Sequence, residues 1–438
     1  MQPQLSTTEL TADETPARKR SLWRSLLLVL AVLGPGFVTA SAGNDVGGIA
    51  TYSQAGAQFG YGIIWVLVPL AVALIVVQEM STRMGLVTGK GLAALIRENF
   101  GVKISVISML VLFLINTLLT STEFAGIAAA SEIFGISRYI AVPIALVIVF
   151  FFVLRFNAKV VERTFVVFSL IYLTYIVSAV LAKPNWHAVL HGTFVPSFHL
   201  HEAGWLSMVV GIIGTTISPY MQFFLQSQVV EKGSRSEDLP LARADVINGS
   251  VLAIALAGFM MIASAATIFL ANEHGAHYNP TQAADFAVAL KPLAGAFAST
   301  IFAFGILNAG LFTATVLPLS TSFIICEALG FEAAVDRKFS EAPAFFTLFA
   351  AGLIVGAAIV LIPGIPLLEL ILFAQVLQGM LLPAELALML TIINRKSVMG
   401  AYTNSRTANV VAWTTAIVIG VLSIAYVLGI FIPPLLGG

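Results

Sequence analysis

Two stretches of this chain set glycine, proline and polar side chains together in a spacing that frees backbone carbonyls. The first reads Gly34-Pro35-Gly36-Phe37 and then Ser41-Ala42-Gly43-Asn44-Asp45-Val46-Gly47-Gly48, with apolar sequence on both sides. The second reads Gly211-Ile212-Ile213-Gly214-Thr215-Thr216-Ile217-Ser218-Pro219-Tyr220-Met221-Gln222. Pro219 lacks an amide proton and crowds the carbonyl four residues back, that of Thr215, which leaves an oxygen where a ligand could use it. Asp45 is the only acid of the first stretch. Enclosed by apolar sequence, its carboxylate must face a polar partner or a cation.

The elements that carry these stretches follow from composition. Of 438 residues, 58% are hydrophobic and 10% charged, whereas soluble domains carry about 25% charged residues. The solvent of this fold is therefore lipid. A helix needs roughly 20 apolar residues to cross a bilayer core of about 30 Å. Apolar runs of that kind lie at residues 25–57, 60–82, 104–131, 137–154, 161–182, 205–229, 247–271, 295–327, 342–362, 366–393 and 408–433. Eleven transmembrane helices result, an all-α membrane protein, with the two polar stretches inside the first and sixth.

When alternate loops are assigned to opposite sides, nineteen of the 22 basic residues fall on one side. The other side holds Arg138, Lys183 and Lys291. The positive-inside rule then places the amino terminus in the cytoplasm and the carboxyl terminus outside, in a multi-pass plasma (inner) membrane protein. Residues 1–20 read as a disordered cytoplasmic head, and the first apolar run outlasts a signal-peptide core, so no cleavable signal is expected. Net charge is zero, which gives no reason to expect a nucleic-acid partner. The six histidines, His187, His191, His199, His201, His274 and His277, are scattered over outer loops without ligand spacing. The single cysteine, Cys326, forms no thiolate cluster and reads as packing. Nothing demands more than a monomer.

In hydrocarbon every backbone amide needs a partner, so polar interruptions at mid-span mark unwound backbone facing a protein cavity or water. Paired interruptions that open two halves of a chain point to an inverted-repeat transporter with its site at the bilayer midplane. The expected organisation is a first repeat over 21–183, a second over 205–393 and an extra helix over 408–434. Further polar residues lie within spans. Gln78, Glu79 and Glu385, near helix ends, are read as interhelical hydrogen-bonding groups. Glu123 lies deeper, in Thr120-Ser121-Thr122-Glu123, and is read as functional. Gln375 and Gln378 are one turn apart and can share an inward face.

With these residues in view, the chain resembles the Nramp family of divalent-metal transporters, which have the LeuT-type fold of two inverted five-helix repeats. The likeness rests on Gly34-Pro35-Gly36-Phe37, Ile49-Ala50-Thr51, Gln54-Ala55-Gly56-Ala57-Gln58-Phe59-Gly60-Tyr61, Met84-Gly85-Leu86-Val87-Thr88-Gly89-Lys90 and Gln375-Val376-Leu377-Gln378. It departs at the site. Where the metal transporters carry Asp-Pro-Gly-Asn, this chain has Asp45-Val46-Gly47-Gly48, and where they carry Met-Pro-His it has Ser218-Pro219-Tyr220. The soft thioether and the imidazole are both absent, and carboxylate, hydroxyl, carbonyl and water suit a harder ion. Magnesium keeps several waters while touching one or two carboxylates, so Gly48 and Ser218 would widen its site.

The pattern is similar to the Nramp-related magnesium transporters. By that resemblance Asp45 is the main anionic ligand and Glu123 a second carboxylate. Ala42 and Thr215 would offer carbonyls, while Asn44, Ser218 and Gln378 would hold the ion directly or through water. The metal, magnesium or manganese, is then the transported substrate and no cofactor is implied. Without the histidine, whose role a phenol cannot take near neutral pH, uptake is expected to be uncoupled from protons. A divalent ion gains about 4.6 kcal/mol per 100 mV, twice the single-charge value, from an inside-negative potential. Two other transport readings stay open: a proton-coupled manganese or iron carrier, and an organic-solute carrier of the same fold. An enzyme is not indicated, because no nucleophile and base are paired within the spans.

Overall fold

A computed structural model describes residues 45–155, 169–199, 202, 204–275, 280, 283–331 and 340–431. Among the described residues all regular structure is helical. The helices are α1 Val46–Phe59, α2 Leu67–Thr88, α3 Leu92–Ile133, α4 Arg138–Arg155, α5 Leu173–Leu181, α6 Trp186–Phe194, α7 Trp205–Thr216 and α8 Pro219–Glu231. They continue with α9 Leu239–Ser264, α10 Ala298–Leu329, α11 Pro343–Val360, α12 Leu367–Ile393 and α13 Arg406–Phe431. Among the described residues eight helical stretches are long and apolar enough to cross a membrane, and Arg138–Val153 and Leu170–Leu181 add two shorter apolar helices. The stretch Val46–Thr88 contains both α1 and α2.

The faces are sorted as lipid requires. On α3, Ile107, Leu110 and Leu114 point outward while Asn116, Thr120 and Glu123 are buried. Polar groups thus turn toward neighbouring helices and apolar ones toward acyl chains. Asn116 Nδ2 donates to Thr321 Oγ1 across to α10 at 2.8 Å. Small residues let backbones approach. A methyl group at Gly214 on α7 would meet the Gln375 carbonyl oxygen at 2.0 Å, and one at Gly379 on α12 would meet the Val210 carbonyl oxygen at 2.5 Å. The α7 and α12 backbones are therefore in direct contact, which fixes the rotation of α12.

Two details differ from the sequence reading. The helix of the third span begins earlier than expected, because Leu92, Ala93, Leu95 and Ile96 pack inward on a short helical piece before Gly101. Gly101, at φ 84°, then redirects the chain into the long part of α3, a conformation that only glycine adopts freely. The loop after α5 is not bare loop either, since it forms α6, capped by Asn185 through the amides of His187 and Ala188. The end of the bundle rich in basic residues is tied by Arg83. Its guanidinium donates to the Tyr402 carbonyl at 2.8 Å, the Thr403 carbonyl at 3.1 Å and Asn404 Oδ1 at 2.5 Å, and it pairs with Glu79 at 3.0 Å. Arg243 reaches the other Glu79 oxygen at 2.8 Å.

Candidate metal site

Asp45 starts α1. Its backbone is extended, with φ −67° and ψ −176°, and its Oδ1 accepts the Gly48 amide proton at 2.7 Å. A side-chain oxygen in that position satisfies one of the orphan amides of a first turn, and its negative charge is favoured by the helix dipole. Glu123, fully buried at mid-α3, accepts the Val46 amide proton on Oε2 at 3.4 Å. It reaches so far because Gly126 carries no side chain. A methyl group there would overlap Val46 Cγ1 at 2.4 Å. Two carboxylates from distant parts of the chain therefore converge on one helix start.

Among the described residues neither carboxylate is ion-paired with a lysine, arginine or histidine. Two buried carboxyl groups without a basic partner are costly to ionise, and a bound cation would offset that cost. No group of three or more His, Cys, Asp or Glu side chains gathers among the described residues. A divalent ion at this place would complete its coordination with hydroxyl, carbonyl and carboxamide oxygens and with water.

The sixth span supplies such oxygens. Its helix stops at Thr216, and Ile217 (φ −120°, ψ 65°) and Ser218 (φ −66°, ψ 133°) are non-helical. A new helix begins with Pro219 as its first residue, where the missing amide costs nothing. Proline here opens a second helix and does not kink a continuous one. Ser218 Oγ donates to the Gly214 carbonyl at 2.9 Å and lies 3.4 Å from the Thr215 carbonyl. The serine proton is thereby turned to backbone, which leaves oxygen lone pairs for an ion or its water. Thr215 Oγ1 is buried without a hydrogen-bond partner. Gln222 Nε2 donates to the Ser218 carbonyl at 3.3 Å, and Tyr52 of α1 bonds Thr216 of α7 at 2.9 Å, tying α1 to the interrupted sixth span.

Of the residues expected at the site, the structure brings Asp45, Glu123 and Gly48 together at the α1 start, with Gly48 acting through its amide. Ser218 and Thr215 flank the second break. Ala42 and Asn44 lie outside the described residues. Gln378 is buried on α12 beside Gln375. A methyl group at Gly47 would meet Gln375 Nε2 at 1.7 Å and Asp45 Oδ1 at 3.2 Å, so both atoms flank one point at the α1 start. Gln378 stands behind it, its Nε2 3.5 Å from Gln375 Oε1. Gln375 Nε2, Gln378 Oε1 and Gln222 Oε1 are buried polar atoms without partners, the signature of a place meant for a ligand or water. The pair Gln375 and Gln378 was visible in the sequence, and both are buried within the bundle.

The other intramembrane polar residues divide. Gln78 Oε1 accepts from Ser250 at 3.3 Å, and Glu79 is held by two arginines, as interhelical groups. Glu385 does not follow, for both its carboxylate oxygens are buried with no hydrogen-bond partner. Cys326 is buried in an apolar cluster with Ala342, Phe345 and Phe346.

A family model described as natural resistance-associated macrophage protein-like, Nramp, matches residues 36–429. The divalent metal cation transporter MntH of Deinococcus radiodurans is 29% identical over 432 residues, covering 95% of this chain and 92% of the relative. A crystal structure of the Eremococcus coleocola manganese transporter superposes with a TM-score of 0.71 at 22% identity, over 95% of this chain and 88% of that one. A nucleobase-cation-symport-1 family transporter in a closed conformation gives a TM-score of 0.55 at 14% identity, over 90% and 92% of the two chains. At those identities the structural likeness speaks for the fold, a LeuT-type bundle with an interrupted sixth span.

Proposed function

Because this chain belongs to the Nramp family of membrane transporters, we propose that it carries divalent metal ions across the plasma membrane, magnesium above manganese, without moving protons. The observation that carries the proposal is the pair of buried carboxylates, Asp45 and Glu123, sharing the α1 start beside the Val46 and Gly48 amides and the Gln375 carboxamide. The break in the sixth span is flanked by Ser218 and Tyr220, so no thioether or imidazole stands there to favour a soft ion. That relatives are named for divalent metal and for manganese supports the ion's charge class. The carboxylate pair also fits manganese, which the same oxygen donors accept. The orientation with the amino terminus in the cytoplasm rests on the distribution of basic residues. The two repeats, over 21–183 and 205–393, would rock about the site in alternating access.

Proteoliposomes loaded with a magnesium indicator and a pH indicator test this. Magnesium entry should follow an inside-negative potassium diffusion potential and leave the lumenal pH unchanged. Acidification in step with magnesium entry refutes uncoupled transport. Strong block by micromolar cadmium together with absent magnesium entry refutes the choice of ion and leaves a manganese carrier.

A further inference from the structure

At the end of the bundle away from Arg83, a cavity of about 460 Å³ opens between α1 and the helical continuation of α9. Its α1 wall presents Gln54, Ala57 and Gln58. The facing wall presents Phe269, Asn272 and Glu273. Both sets are spaced i, i+3, i+4, so each is one helix face. We propose that this cavity is a waiting site for a hydrated divalent cation, gripped through its water shell by Gln54, Gln58 and Asn272 and balanced by the Glu273 carboxylate. The proposal rests on the reading of the chain as a divalent-cation transporter and adds a second binding place to it.

The walls are shaped by two backbone irregularities. After Ser264 the helix takes a π turn over Ala265–Phe269 before resuming at Leu270–Glu273. Such a turn inserts a residue, rotates everything beyond it, and is found mostly at functional sites. Opposite it, α1 ends at Gly60 with φ 58°, and a methyl group there would meet the Phe269 ring at 2.8 Å. The ring is thus seated on bare backbone, which sets the spacing between the polar faces.

The chemistry fits a hydrated ion better than a naked one. First-shell waters of a divalent cation donate hydrogen bonds outward, and carboxamide and carboxylate oxygens accept them. Gln54 lines the cavity with its Oε1 enclosed and without a hydrogen-bond partner, so turning that carboxamide toward the cavity supplies such an acceptor. Among the described residues one carboxylate and no basic side chain line the cavity. Six waters occupy about 180 Å³ at ~30 Å³ each, so an ion enters with its shell intact, as suits one that dehydrates reluctantly. Gln54 and Asp45 stand on the same helix, about 13 Å apart along its axis.

The test uses the purified full-length chain carrying Asp45→Asn, titrated with Mn2+ under electron paramagnetic resonance and challenged with cobalt(III) hexaammine, whose ligands do not exchange. The expected result is one weak residual Mn2+ site that the hexaammine displaces. Glu273→Gln and Gln54→Leu, added separately, should each weaken it by about tenfold, the scale of one charge-assisted contact. Residual binding that is absent, indifferent to both substitutions, or unaffected by the hexaammine overturns the proposal. Failure of the carboxylate-pair reading looks different. Full-strength binding then survives Asp45→Asn, and the response to Glu273→Gln still decides the outer site.

Discussion

Replacing Asp45 by asparagine separates the two tasks of this side chain. Asparagine is as good a helix N-cap as aspartate, so its Oδ1 can keep the Gly48 amide proton now held at 2.7 Å. The cap therefore survives the change. What is lost is one of two negative charges at a site where neither carboxylate has a basic partner among the described residues. Removing one partner of a buried ion pair costs about 3–5 kcal/mol, which weakens magnesium or manganese binding by at least about 100-fold. The ion-free protein should melt no lower than the parent, because a buried carboxyl that is costly to ionise is replaced by a neutral isostere while the cap is kept. Asp45→Ala, by contrast, should lose the same affinity and also about 1 kcal/mol of stability, the usual value of a cap. Isothermal titration with each metal and thermal melting without metal give both quantities. Asparagine binding within threefold of the parent would sink the carboxylate-pair reasoning, and equal melting of the asparagine and alanine proteins would sink the capping reasoning.

Three further outcomes follow from the geometry. Ser218→Met puts a soft thioether beside the second break, and cadmium should gain about tenfold in competition against magnesium uptake; an unchanged ratio would place residue 218 away from the ion. Gly214→Ala forces a methyl group to within 2.0 Å of the Gln375 carbonyl and 2.5 Å of the Gly379 nitrogen, both backbone atoms, and should cost about 1–3 kcal/mol or more in overpacking. Gly211→Ala on the same helix, where the nearest atoms are 3.7 Å away, should melt like the parent and serves as the control. Glu385→Gln replaces an unpartnered buried carboxylate by a neutral isostere and should raise the melting temperature, since an isolated buried charge is costly; a fall would reveal a partner that the carboxylate needs.

Much of the fold is legible in the residues alone, for reasons tied to lipid as solvent. The apolar runs fix where helices cross because unsatisfied amides are excluded from hydrocarbon. Ser218-Pro219 marks the second break to the residue because proline cannot be continued from the helix before it. Asp45 is singled out because no other acid lies in its span. What the residues could not tell is which way each helix turns. A helix that is apolar all round has no polar face to show its orientation, and along α12 each residue rotates the view by about 100°. Gln375 comes to the start of α1 beside Asp45 because Gly214 and Gly379 let α7 and α12 meet backbone to backbone. In the same way the meeting of Glu123 with the Val46 amide depends on Gly126, and the loss of any partner for Glu385 depends on helices remote in sequence. Local chemistry chose the ligand types and the breaks, whereas contacts between distant glycines chose which ligands meet.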